Sequence, residues 1–197
     1  MEQAKNNKLI KIATLSSIVD TIYAVGNLFV GITENSWWFT MTGVYYLILS
    51  ATRFTVLIVN KTKRAYFTPK FTGCMLMSTA LPLLAIALLC SVRDTGNKFH
   101  EIIMITIALY AFSRITLAII NLIKFRKHKS AVEVSLRSIS LATAFVSIAS
   151  LQRSMLVSFG SMSTDEIRLF NVMTSIGVCI LVFLIGLLLF RGTRAKN

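Results

Sequence analysis

IATLSSIVDTIYAVGNLFVGI (Ile12–Ile32), the four residues TENS (Thr33–Ser36) and WWFTMTGVYYLILSATRFTVLIV (Trp37–Val59) together decide the fold. At a rise of about 1.5 Å per residue, each apolar run spans the roughly 30 Å hydrocarbon core of a bilayer. The turn between them is so short that the two helices it joins must be antiparallel neighbours. Trp37 and Trp38 open the second run, where amphipathic rings prefer the membrane interface.

Four further runs of similar length follow: Phe71–Val92, Ile102–Ile123, Leu136–Ser158 and Leu169–Phe190. Lipid requires each segment to satisfy its own backbone hydrogen bonds, so all six read as helices. A membrane barrel would show segments of about 10 residues with alternating polarity, and these runs are longer and continuous. The expected fold is all-α: one six-helix transmembrane bundle occupying residues 1–197, with no soluble catalytic or nucleotide-binding module attached. A mean hydropathy of +0.70 and a hydrophobic content of 55% agree. Pro82 falls within the third run and should kink it. The first run contains Asp20 and Asn27 and lacks a small-residue cleavage site, so it reads as an uncleaved span and not a signal peptide.

The net charge of +13 is distributed by side. With the N-terminus in the cytoplasm, the inner segments hold Lys5, Lys8, Lys11, Lys61, Lys63, Arg64, Lys70, Lys124, Arg126, Lys127, Lys129, Arg191, Arg194 and Lys196. The outer segments hold only Arg93, Lys98 and Arg168, with Glu34, Asp94, Glu101, Asp165 and Glu166. The positive-inside rule then places both termini in the cytoplasm. The basic balance needs no nucleic acid; the expected partners are the lipid bilayer and its anionic inner-leaflet lipids, and the expected location is the plasma membrane. Cys74, Cys90 and Cys179 all lie within the runs, where free thiols are expected.

Ionisable residues inside a membrane are expensive, which makes them functional candidates. Counting from the inner end of each run, Asp20 lies roughly 12 Å deep, Arg53 about 9 Å and Arg114 about 14 Å. Asp20 is expected to pair with Arg114, while Arg53 joins them or extends to the cytoplasmic interface. The cluster is either a structural pin among three helices or a site for an anionic solute or lipid headgroup. In the fifth run, Ser140, Thr143, Ser147, Ser150 and Ser154 are spaced three and four apart and share one stripe, suited to close helix packing or to a polar path. Nearer the outer end, Arg153 is within reach of Asp165 or Glu166 in the adjoining turn.

Catalytic chemistry has no candidate residues. His100 and His128 fall on opposite sides of the membrane, and there is no paired-carboxylate motif, no zinc-spaced His/Cys cluster, no glycine-rich phosphate loop and no cofactor motif. The chain therefore reads as a non-enzyme without metal or cofactor.

Val25–Arg53 (VGNLFVGITENSWWFTMTGVYYLILSATR), with its G-x-x-x-x-S turn at Gly31–Ser36, resembles the first hairpin of the cation diffusion facilitator transporters. Lys124–Thr143 (KFRKHKSAVEVSLRSISLAT) resembles the basic loop that enters their fifth helix. The resemblance implies six helices with both termini cytoplasmic. That family holds its metal with acid or histidine pairs on helices two and five. The corresponding positions here are Tyr45 and Leu49, and Ser138 and Ala142, none of which is a good zinc or manganese ligand. Only RGTRAKN follows Phe190, so the family's cytoplasmic domain is missing as well. The implied protein keeps the scaffold without cation–proton antiport. The leading expectation is a transporter-like bundle, dimeric with a second copy of itself, that binds or moves a small solute. The alternative is a membrane accessory subunit acting through helix–helix contacts.

Overall fold

The computed structural model describes residues 2–61, 68–92, 101–124, 130–159 and 163–192. The described residues form seven helices: α1 (Glu2–Thr33), α2 (Trp37–Lys61), α3 (Thr68–Ser78), α4 (Ala80–Val92), α5 (Glu101–Lys124), α6 (Ala131–Phe159) and α7 (Thr164–Gly192). Among the described residues five segments are long and apolar enough to cross a membrane: Ala13–Thr33, Trp37–Val59, Thr68–Leu89, Ala131–Leu156 and Thr164–Arg191. This is the build of an integral membrane protein. Helix α5 carries a shorter described apolar stretch, Ile105–Ile120, so five of the six expected runs meet the length a span needs. Most of the basic positions used to assign the two sides, together with Cys90, His100 and His128, lie outside the residues whose side chains are described.

The polarity of the bundle is inverted relative to a water-soluble core. Leu15, Ile22 and Phe29 on α1, Ile105, Leu109 and Phe112 on α5, and Met173, Ile180 and Leu188 on α7 are exposed. Asp20, Thr42, Ser50, Arg53, Arg114 and Thr143 are buried. Apolar side chains facing outward cost nothing in lipid, while polar groups are satisfied by facing one another. Helices α2 and α6 form the centre: α2 packs on α1, α3, α4 and α6, and α6 packs on α2, α3, α5 and α7.

The TENS turn closes α1 with a Schellman motif. Ser36 N donates to Gly31 O at 2.9 Å and Asn35 N to Ile32 O at 3.4 Å, with Asn35 left-handed at φ 48°. Asparagine tolerates that conformation and β-branched residues do not. Asn35→Val is expected to cost about 1–2 kcal/mol, while Asn35→Gly stays within about 0.5 kcal/mol of the parent. Thermal unfolding in detergent measures both.

The third span is two helices. Pro82 cannot donate to the Ser78 carbonyl and crowds it, and the chain leaves helical geometry at Thr79. The Thr79 hydroxyl donates to Leu76 O at 2.6 Å and that of Ser78 to Met75 O at 2.8 Å, which supplies donors on the α3 side of the break. Both halves pack on α7. A Cβ on Gly73 would stand 2.7 Å from Gly186 O, and one on Gly186 would stand 2.9 Å from Gly73 O. The two backbones meet where neither residue has a side chain, as small-residue packing in membranes requires. Helix α7 starts with a capping box: Ser163 N donates to Glu166 Oε2 at 2.9 Å, and Glu166 N to Ser163 Oγ at 3.4 Å.

Candidate functional site

Asp20 projects inward from the middle of α1 with no exposed surface. Helical spacing places Ser16 one turn before it and Tyr23 one turn after, on the same face. On α5, Tyr110 and Arg114 are likewise four apart, and α2 contributes Arg53. These three helices deliver their polar groups to a single point.

Arg53 Nη1 donates to Asp20 Oδ2 at 2.6 Å and to Ser16 Oγ at 2.5 Å. Arg114 Nη2 pairs with Asp20 Oδ1, which also accepts from the Tyr110 hydroxyl at 2.8 Å. Arg114 Nε donates to the Tyr110 hydroxyl at 3.1 Å, and its Nη groups reach Ser16 Oγ and Ser16 O. Arg53 and Arg114 are 1% and 4% exposed, which leaves the charges little water to screen them. Two guanidinium groups share one carboxylate, so the cluster carries a surplus positive charge. Arg53 Nη2 is buried and has no hydrogen-bond partner among the described residues.

Tyrosines wall this cluster. The rings of Tyr23 and Tyr110 stack 3.6 Å apart, tilted by 4°, and Tyr46 meets each edge-on at 5.0 and 5.5 Å. The Tyr46 hydroxyl hydrogen-bonds Ser147 Oγ at 3.0 Å. Tyr23 and Tyr110 also form the floor of a groove of about 630 Å³ between α1 and α5, lined further by Ile22, Gly26, Asn27 and Ile107. The aromatic pair thus separates an apolar lateral groove from the charged centre.

The hydroxyl stripe lies on α6. Thr143, Ser147, Ser150 and Ser154 are buried and Ser140 is half-buried. Thr143, Ser147 and Ser154 each donate to the carbonyl four residues back in their own helix. Hydroxyls satisfied this way pack closely without leaving a donor open. Of the positions matched to the facilitator ligands, Tyr45, Leu49 and Ala142 are buried, and the Tyr45 hydroxyl donates to Ala142 O at 3.3 Å. Among the described residues no three His, Cys, Asp or Glu side chains come together.

Arg153 turns inward, its guanidinium carbon 4.8 Å from the Trp38 ring centre. At the start of α7, Asp165 faces Arg168 at 3.9 Å, and Glu166 is engaged with Ser163. A buried cation gains from an aromatic face in low dielectric, which a reading based on nearby acids overlooks. Sequence reasoning also missed Ser16, Tyr110, Tyr23 and Tyr46. Their signal was helical spacing from the charged residues: Ser16 and Tyr110 stand four positions before Asp20 and Arg114.

The class these features define is a polytopic helical membrane protein with a cation-rich polar centre sealed inside an apolar shell. No protein-family model matches the chain, and no curated protein or solved structure matches it either.

Proposed function

We propose that this chain is a transporter-like, non-enzymatic membrane protein that binds or moves a small anionic solute at the Asp20–Arg53–Arg114 cluster. One observation carries the reading. Arg53 and Arg114 converge on a single carboxylate, and Arg53 Nη2 keeps a donor without a partner among the described residues. A surplus charge buried in a bilayer costs several kcal/mol, and an anion arriving at that donor offsets it. Metal-ion antiport is not part of this proposal, because Tyr45, Leu49, Ser138 and Ala142 offer no suitable ligand.

With it goes a topology of six crossings, α5 included, with both termini in the cytoplasm of the plasma membrane. The basic inner segments would rest on anionic lipid, and two copies would associate as a homodimer. The resemblance to the cation diffusion facilitators supports the same topology.

Purified protein reconstituted in liposomes and assayed with chloride, inorganic phosphate and acetate tests the proposal. Saturable flux of at least one is expected, with Arg53→Met lowering it roughly tenfold or more, since a hydrogen bond to a charged group is worth about 1.5–3 kcal/mol. Flux no greater than in protein-free liposomes for all three anions counts against it. A second reading, a non-transporting accessory subunit, is favoured by the α6 stripe, where the hydroxyls of Thr143, Ser147 and Ser154 are bonded to their own helix. Co-purification with one partner at fixed stoichiometry, without flux, selects that reading.

A further inference from the structure

Helix α1 packs along α2 and α5 along α6. The two reach each other through the Tyr23–Tyr110 ring stack and the Arg114–Asp20 pair. Beside those contacts lies the groove of about 630 Å³, within the roughly 300–1,000 Å³ of pockets that enclose small apolar ligands. Val19 and Ser113 stand at one end of it, Val30 and Ile102 at the other.

The dimensions are those of one hydrocarbon chain. Val19 to Val30 on α1 and Ile102 to Ser113 on α5 each run about 17 Å at helical rise, and one leaflet of the hydrocarbon core is about 15 Å deep. Val30 lies near the end of α1, and Trp37 and Trp38 open α2 just past the turn. That end therefore sits at the membrane interface and the Val19 end near the midplane. Spread over its length, the volume leaves a cross-section of about 40 Å², roughly half of what a helix 10–12 Å across occupies. Ile22, Ile102 and Leu109 also stand out from the rim, which opposes the close backbone approach of helix packing in lipid.

The lining suits an apolar guest. Asn27 Nδ2 donates to Tyr23 O at 2.7 Å, Thr106 Oγ1 to Ile102 O at 2.8 Å and Ser113 Oγ to Leu109 O at 2.8 Å. Tyr110 gives its hydroxyl proton to Asp20. With these donors taken, Ile22, Val30, Phe39 and Ile107 supply hydrocarbon walls.

We propose that the α1–α5 groove binds one acyl chain of a phospholipid from the leaflet on the TENS side. The bound chain completes the apolar wall that the two tyrosines begin in front of the charged centre. The proposal stands whether or not that centre binds a solute.

Delipidated protein in detergent, given palmitoyl-oleoyl phosphatidylcholine and read by native mass spectrometry, is expected to retain one phospholipid per chain, saturably. Dihexanoyl phosphatidylcholine has the same headgroup and short tails. It should bind roughly tenfold or more weakly, since each buried CH₂ adds to the affinity. Gly26→Phe fills the groove at a position where an added Cβ meets nothing within 4 Å, and should abolish retention. Gly177→Phe, equally unhindered but on α7, should leave it unchanged. A phospholipid carrying a diazirine on the last carbon of its oleoyl chain, in nanodiscs, should label the groove near Val19 and Ser113. That labelling should be several times stronger than at exposed Ile180 of α7. It needs no variant, so it decides the matter should Gly26→Phe fail to fold. Retention unaffected by Gly26→Phe, equal binding of the two lipids, or labelling spread evenly over the exposed faces overturns the proposal. A lipid-free dimer that Gly26→Phe dissociates overturns it too, and assigns the groove to a second copy of the chain.

Discussion

Asp20→Asn is expected to lower stability by roughly 3–5 kcal/mol, the cost of leaving buried charge unpaired. The substitution keeps the shape of the side chain, removes its charge and turns one of its two accepting oxygens into a donor. Arg53 Nη1 and Arg114 both reach Ser16 Oγ as well as Asp20, so the two guanidinium groups would face each other across one hydroxyl. Their low exposure means that water cannot take over the role of the carboxylate. Unfolding in mixed detergent micelles measures the loss. Adding Arg114→Gln to Asp20→Asn should restore part of the stability, because it deletes one of the two stranded charges, and the two changes should be non-additive by about 1 kcal/mol or more. Purely additive losses would show that the three side chains do not act as one electrostatic unit.

Gly73→Leu tests the close approach of α3 and α7. The first carbon of any side chain there would stand 2.7 Å from Gly186 O and 3.0 Å from Phe190 N, both backbone atoms with nowhere to move. The helices must separate, with an expected loss of about 3 kcal/mol, at the upper end of overpacking costs. Gly73→Ala should cost about 1–3 kcal/mol by the same argument. Gly26 supplies the control. A Cβ there meets nothing within 4 Å, since the residue faces the open α1–α5 groove. Gly26→Leu is expected to stay within about 0.5 kcal/mol of the parent. Equal melting temperatures for the Gly73 and Gly26 variants would refute the packing account.

Several features were legible in the residues because they depend on distance along the chain. The TENS turn brings α1 against α2, since four residues leave no other arrangement. Pro82 divides the third span because it cannot donate a backbone proton, wherever its neighbours lie. Asp20, Arg53 and Arg114 stood out because each is a charge within an apolar run. Arg153 marks where this kind of reading stops. Two acids lie near it in the chain, yet its guanidinium rests on Trp38 of a helix more than a hundred residues earlier. Helical spacing could mark Tyr110 as a neighbour of Arg114 but not the wall itself, since Tyr46 and Tyr110 meet across two helices.

The amino-acid sequence alone determined the helical class, the apolar runs that call for lipid, and which charged groups fall within those runs. Each of these is set by one helix and its solvent. The tertiary structure decided how each helix is rotated about its axis and which helix stands beside it. Those choices placed Tyr110 on the Asp20 carboxylate and both guanidinium groups on Ser16, set Gly73 against Gly186, and left a small cavity beside Arg153. Rotation is settled by side chains meeting across several helices at once, so no single stretch of sequence contains it.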